Sequence, residues 1–197
     1  MIYHWPDDPC PVSLDFLREL DRAPARTWLA QLKWDGYRRT GWLCDGGWVW
    51  QAKRSGAAAK AMPAEVMEAW RMMSWPDLPL AIDCEWVGPR KKGGEHRLIA
   101  FDILMYEGQW LGRTPFGERS VLLGHTMQHA WLPLKPSGIE WAETIQNPGM
   151  VDLYIHGLSN PDVEGVVVRK ASSGLKGGLS ACLANPEWFK VRYGEGR

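Results

Sequence analysis

One short run carries the first chemistry in this chain: Lys33-Trp34-Asp35-Gly36-Tyr37-Arg38. A lysine is a covalent nucleophile only when its amine is deprotonated, and partial burial with neighbouring cations lowers its pKa toward that state. On a strand, Asp35 would share a face with Lys33, two residues away. Gly36 permits a tight backbone turn, and Arg38 offers a planar fork that fits a ribose or a phosphate. In isolation the hexapeptide fits a surface lysine and aspartate leading into a turn at least as well.

It does not stand in isolation. Ile82-Asp83-Cys84-Glu85-Trp86 places two carboxylates on one strand face. Phe101-Asp102-Ile103-Leu104 follows, then Glu107-Gly108, Leu111, Pro115 and Glu118-Arg119. Glu164-Gly165-Val166-Val167-Val168-Arg169 and Trp188-Phe189-Lys190-Val191-Arg192 complete the series. This ordered set, spanning Lys33 to Arg192, resembles the nucleotidyltransferase (adenylation) domain of ATP-dependent DNA ligases. That family carries a KxDGxR nucleophile loop, a DxE strand, an FDxL segment, an EGxxxK strand and a KxK strand. RNA ligases and capping guanylyltransferases share the plan, and either of these, or a non-catalytic nucleotide- or nick-binding module, is the alternative reading. The stretch FDILMYEGQWLGRTPFGERSVLL is more similar to a DNA ligase than to either cousin.

The resemblance implies a role for each matching residue. Lys33 would attack the α-phosphorus of ATP, release pyrophosphate and carry AMP as a lysyl phosphoramidate. AMP would then pass to the 5′-phosphate of a nick in duplex DNA, and the 3′-hydroxyl would seal it. Lys190 and Arg192 would contact the phosphate of AMP; arginine stands where the family has a second lysine, and keeps the charge. Glu164 would hold magnesium or manganese, with Asp35 helping to position metal or substrate, since hard carboxylate oxygens suit such ions. Glu85 would accept from the ribose, Arg38 would contact the sugar from the other side, and Phe101 would stack on adenine; plain core packing is the other reading of Phe101. Gln31 stands where the family often has a glutamate that reads the adenine amino group, and its amide oxygen could accept the same bond. Arg54, in Lys53-Arg54-Ser55-Gly56, matches a residue that contacts the nick phosphate, although a charged hairpin end accounts for it equally. Arg169 and Lys170 are the candidates for a further DNA phosphate contact, and Arg90-Lys91-Lys92 reads most simply as a solvated turn.

Composition bounds the reading. The chain has 197 residues, 45% hydrophobic and 23% charged, which suits one packed domain and excludes global disorder. Lysine plus arginine is 23 and aspartate plus glutamate is 23, so the formal net charge is zero and a wholly cationic DNA-coating protein is excluded. Thirteen tryptophans supply large rigid apolar area. Cys10, Cys44, Cys84 and Cys182 form no CxxC pair, which argues for reduced thiols rather than a zinc site or a disulfide framework. The N-terminal stretch has early acids and no apolar core of a signal peptide, and no apolar run is long enough to span a membrane. A monomeric, cytoplasmic or nucleic-acid-associated protein is expected, not a secreted one.

The elements that must position these residues are legible in the pattern. Helices are predicted from Ser13 to Leu20, Pro63 to Met73, Phe116 to Trp131 and Pro148 to Gly157, the third with Val121, Leu122 and Met127 facing inward. Strands are predicted over Trp28–Trp34, Leu80–Val87, Leu98–Tyr106, Ile139–Ile145, Val163–Lys170 and Glu187–Tyr193. A hairpin turns at Cys44-Asp45-Gly46-Gly47. Strands and helices do not alternate regularly, so an α+β fold is expected. The resemblance makes it an ATP-grasp-like nucleotidyltransferase fold of antiparallel-rich sheets with flanking helices, ATP lying in a groove between sheets. Residues 1–197 read as a single adenylation domain without the OB-fold domain of family ligases. That reading implies a DNA-clamping domain or protein as a separate partner, and weak, salt-sensitive holding of nicked duplex DNA.

Overall fold

A computed structural model describes residues 8–52, 61–76, 79–89, 94–132, 136–176 and 184–194. The fold is α+β, and its contacts divide into two units. The first unit comprises residues 1–35, 112–118 and 143–197; the second comprises 36–111 and 119–142.

The first unit is built on a five-stranded sheet ordered β1-β11-β10-β2-β9. These strands are β1 (Asp8–Pro11), β2 (Trp28–Trp34), β9 (Ile145–Gln146), β10 (Val163–Lys170) and β11 (Ala184–Arg192). Only β1 runs parallel to its neighbour. Helix α1 (Leu14–Asp21) starts at Ser13, whose hydroxyl accepts from the Phe16 backbone N–H. Helix α4 (Met150–Gly157) is held at its start by the Asp21 carboxylate, which accepts from the backbone N–H groups of Gly149 and Met150 at 2.9 Å each. Ala30, Val166, Val168 and Val191 line one sheet face and pack on Leu17, Met150 and Tyr154 from the two helices. Each such side chain, fully buried, contributes about 1.5–3 kcal/mol.

The second unit holds a six-stranded sheet whose main path is β4-β3-β5-β6-β7. Its strands are β3 (Tyr37–Cys44), β4 (Gly47–Ala52), β5 (Leu80–Val87), β6 (Arg97–Tyr106) and β7 (Gln109–Trp110), with β8 (Ile139–Trp141) parallel to β6. Helix α2 (Ala64–Arg71) buries Val66 and Trp70. Trp48, Trp50, Trp70 and Trp75 pack around it in stacked, edge-to-face and tilted pairs, with ring centroids 4.4 to 6.0 Å apart. Helix α3 (Phe116–Trp131) adds Leu123, Met127 and Ala130 to the same core.

Two details differ from the sequence reading. Val121 is 58% exposed, and the inward stripe of α3 runs through Phe116, Arg119, Leu123, Thr126, Met127 and Ala130. The stripe includes a fully buried arginine, which donates from Nε and Nη2 to Asp102 at 2.9 and 3.0 Å. An apolar pattern does not register a buried charge that is paired. The single strand expected over Ile139–Ile145 is two: β8 joins the second unit's sheet and β9 joins β2. Cys10, Cys44 and Cys84 are free thiols, and burial pushes the Cys84 pKa up. Among the described residues no helix is long and apolar enough to cross a membrane.

Candidate functional site

Register decides which side chains share a face. In the first unit Lys33 lies opposite Gly165, Gln31 opposite Val167 and Leu29 opposite Arg169. On the other side of β10, Arg192 lies opposite Gly165, Lys190 opposite Val167 and Trp188 opposite Arg169. Directly opposed residues point to the same side of a sheet, so Gln31, Lys33, Arg169, Lys190 and Arg192 all stand on the face away from the apolar core. Strict alternation would send Glu164 to the opposite face. A register shift between Val163 and Gly165 prevents this. Gly165 has φ +148°, and a Cβ there would lie 1.9 Å from the Val191 carbonyl oxygen, so only glycine fits.

The bulge brings the Glu164 carboxylate between two cations. Oε1 pairs with the Lys33 ammonium, and Oε2 lies 3.4 Å from Arg192 Nε. All three side chains are partly exposed. Among the described residues Lys190 forms no ion pair. Two cations pair with this carboxylate and Lys190 stands on the same sheet face, a setting for phosphate oxygens.

The far end of the face is buried. Arg169 is 4% exposed, with its guanidinium carbon 4.4 Å from the Phe116 ring centre and 4.6 Å from that of Trp188. Its Nη1 donates to the Gln31 amide oxygen, and Gln31 Nε2 donates to Thr144 Oγ1 at 3.1 Å. This corrects one expectation: Arg169 is enclosed among aromatic rings and does not present its charge at the surface as a DNA contact. The Gln31 amide oxygen, the candidate for the adenine amino group, accepts from Arg169. Lys170 is half-exposed and donates to Glu187 at 3.1 Å. Asp35 lies beyond the end of β2, exposed, its backbone N–H donating to the Asp162 carbonyl at 2.9 Å, so it does not share a strand face with Lys33. The chain must turn there: a Cβ on Gly36 would sit 2.4 Å from the Trp86 carbonyl oxygen.

In the second unit Arg38, Asp83, Glu85 and Phe101 belong to adjacent strands β3, β5 and β6. Arg38 lies opposite Glu85 in register, yet its guanidinium donates to Asp83, and it sits 5.2 Å from the centre of the Phe101 ring. Arg39, on the other face, is buried beside Tyr37 and Trp86, and desolvation lowers its pKa. The sequence flagged Asp83 as the first acid of the DxE strand without giving it a role, and Thr144 carried no signal of its own. Arg54 lies outside the described residues.

Against known proteins, no family model matches the chain, and no curated protein matches it. Solved structures do. The ligase domain of M. tuberculosis LigD superposes with a TM-score of 0.70 at 19% identity, over 96% of this chain and 59% of that one. The ATP-dependent DNA ligase from bacteriophage T7, in complex with ATP, gives 0.62 at 14% identity, over 95% and 68%. An archaeal ATP-dependent RNA ligase gives 0.53 at 17% identity, over 94% and 48%. This chain has the ligase nucleotidyltransferase fold. It spans 59% of the length of the first structures it matches.

A divalent ion suits the donors of this ligase-fold chain in one particular way. Glu164 and Asp35 offer hard carboxylate oxygens, the donor type that magnesium or manganese takes when its own waters and substrate phosphates complete the shell.

Proposed function

We propose that this chain is the catalytic core of an ATP-dependent polynucleotide ligase acting on DNA. The observation that carries the reading is the constellation of Lys33, Glu164 and Arg192, with Lys190 beside it, on one face of a ligase-fold sheet. Lys33 Nζ gives up its ammonium proton to solvent and as the free amine attacks the α-phosphorus of ATP; the bond to the bridging oxygen breaks, pyrophosphate leaves, and the nitrogen sheds a second proton to solvent. The product is lysyl-AMP. Lys190 and Arg192 stabilise charge on the phosphoryl oxygens, where fixed cations are worth most. Glu164, with Asp35, would hold a magnesium or manganese ion, which when bound offsets the negative charge of the phosphates. Arg38, Glu85 and Phe101, grouped on adjacent strands of the second unit, are the candidates for contact with a ribose and base. AMP then passes to the 5′-phosphate of a nick and is released as the 3′-hydroxyl attacks. Arg54 and Lys170 remain the candidate contacts to the DNA backbone.

Incubation with α-labelled ATP and magnesium, followed by denaturing electrophoresis, tests the first step. An acid-labile adduct is expected in the wild type and none in Lys33→Ala. Lys33→Arg is expected to fail too, because a guanidinium stays protonated. Labelled Lys33→Ala protein would move the nucleophile elsewhere. The likeness to an archaeal RNA ligase supports sealing of RNA as the second reading. Sealing of nicked duplexes with DNA or RNA strands separates the two.

A further inference from the structure

We infer that Asp83 is a positioning residue for nucleotide binding, acting through Arg38. The inference rests on the nucleotide-binding reading above and adds to it a residue with no ligand contact of its own. Asp83 is 0% exposed, and a buried carboxylate persists only if it is paired and hydrogen-bonded. Arg38 supplies that pairing side-on. Nε donates to Oδ1 at 3.1 Å and to Oδ2 at 3.0 Å, and Nη2 donates to Oδ2. Thr40 Oγ1 adds a donor to Oδ1 at 3.4 Å. The residue opposite Arg38 in the sheet is Glu85, not Asp83, so the guanidinium reaches diagonally along β5 to make this grip.

The grip has a geometric consequence. Two points of attachment on one edge fix the plane of the guanidinium as well as its position. The same group sits over the Phe101 ring at 5.2 Å. Asp83 therefore holds the plane of the Arg38 guanidinium against the Phe101 ring. The two carboxylates of Asp83-Cys84-Glu85 divide their work: the buried one orients the arginine, and the half-buried Glu85 meets the sugar. A preorganised arginine gives up less side-chain freedom when a ligand arrives.

Calorimetric titration of the full chain with AMP reads this without requiring turnover, alongside thermal melts of every variant. Asp83→Asn is expected to weaken AMP binding on the order of 10- to 100-fold, the range for losing a charge-assisted hydrogen bond. The double variant with Arg38→Ala should bind no more weakly than Arg38→Ala alone, because Asp83 acts through that arginine. Labelling of Lys33 in Asp83→Asn at saturating ATP should fall less than about threefold, since the chemistry is untouched. Unchanged AMP affinity in Asp83→Asn, or additive losses in the double variant, would overturn the proposal. If Asp83→Asn fails to fold, Thr40→Val strips one hydrogen bond and keeps the charge; about threefold weaker binding is expected there, and no weakening counts against the role. A wild-type chain that binds AMP but never labels Lys33 sinks the ligase reading and leaves the affinities to decide Asp83. A chain that binds no AMP sinks both.

Discussion

Gly165 shows how one residue can set the chemistry of its neighbours. Its positive φ and the 1.9 Å that separates a would-be Cβ from the Val191 oxygen make the bulge possible, and the bulge turns Glu164 toward Lys33 and Arg192. Gly165→Ala should cost at least about 1–3 kcal/mol of stability through backbone strain. It should also lose the Lys33 adduct, read by a melt and by labelling with ATP. Glu164→Gln separates charge from shape. Its ion pairs are partly exposed, so stability should change by less than about 1 kcal/mol. Labelling of Lys33 should drop by roughly 10²-fold or more, as for other groups that stabilise transition-state charge. A Glu164→Gln protein labelled at the wild-type rate would remove Glu164 from the proposed machinery. The family resemblance named Lys33, Glu164, Lys190 and Arg192 as candidates, and strand register with the Glu164 ion pairs brings them together on the first unit's sheet. Residue types and spacing could not show that Asp35 leaves the strand, because a strand's end depends on where its partner stops pairing. Nor could they show that Arg169 is enclosed, because a charged residue is read as exposed until its aromatic neighbours are known.

Elements supply the rigidity on which these residues depend. Strand β10 lies between β2 and β11 and carries Glu164, while its neighbours carry Lys33, Lys190 and Arg192. Tyr193, just past β11, ties that strand to helix α4: its hydroxyl donates to the Tyr154 carbonyl at 2.8 Å. Burial, with Tyr154 as a lesser cause, raises its pKa from 10.0 to about 12. The folded state thus holds this proton more tightly than the unfolded chain. The contribution is fully present below pH 10 and is lost as pH rises toward about 12. Tyr193→Phe should be less stable near neutrality by about 1 kcal/mol, the worth of one hydrogen bond. The gap between the two proteins should then close over pH 10 to 12. Denaturant melts of both across that range check it; a constant gap would refute the assignment. Trp28–Trp34, Leu80–Val87, Phe116–Trp131 and Val163–Lys170 were legible as elements because each has a strong apolar pattern. The facing of α3 was not, since Arg119 occupies its inward stripe, and neither was the division of Ile139–Ile145 between two sheets, since local sequence does not record which sheet a short strand joins.

At the scale of the whole molecule the governing quantity is charge. Lysine plus arginine balances aspartate plus glutamate at 23 each, so no long-range field draws DNA to this chain. Several of its cations are internally committed: Arg38 to Asp83, Arg119 to Asp102, and Arg169 among aromatic rings. The backbone contacts proposed for this chain are Arg54, Lys170, Lys190 and Arg192. Each phosphate neutralised contributes about 0.9 to the slope of log affinity against log salt. Three or four contacts therefore give a slope of roughly −3 to −4, and a loss on the order of 100-fold between 50 and 200 mM salt. Gel-shift affinities of the 197-residue chain for a nicked duplex at those two concentrations test this. Arg54→Ala and Lys170→Ala should each lower the slope by about one contact. Both should leave labelling of Lys33 by ATP intact, because neither residue belongs to the nucleotide machinery. Salt-insensitive binding would mean that the chain grips DNA through stacking or apolar contact. In that case the exposed aromatic side chains, Tyr37 and Trp110 among them, would be the surface to mutate next.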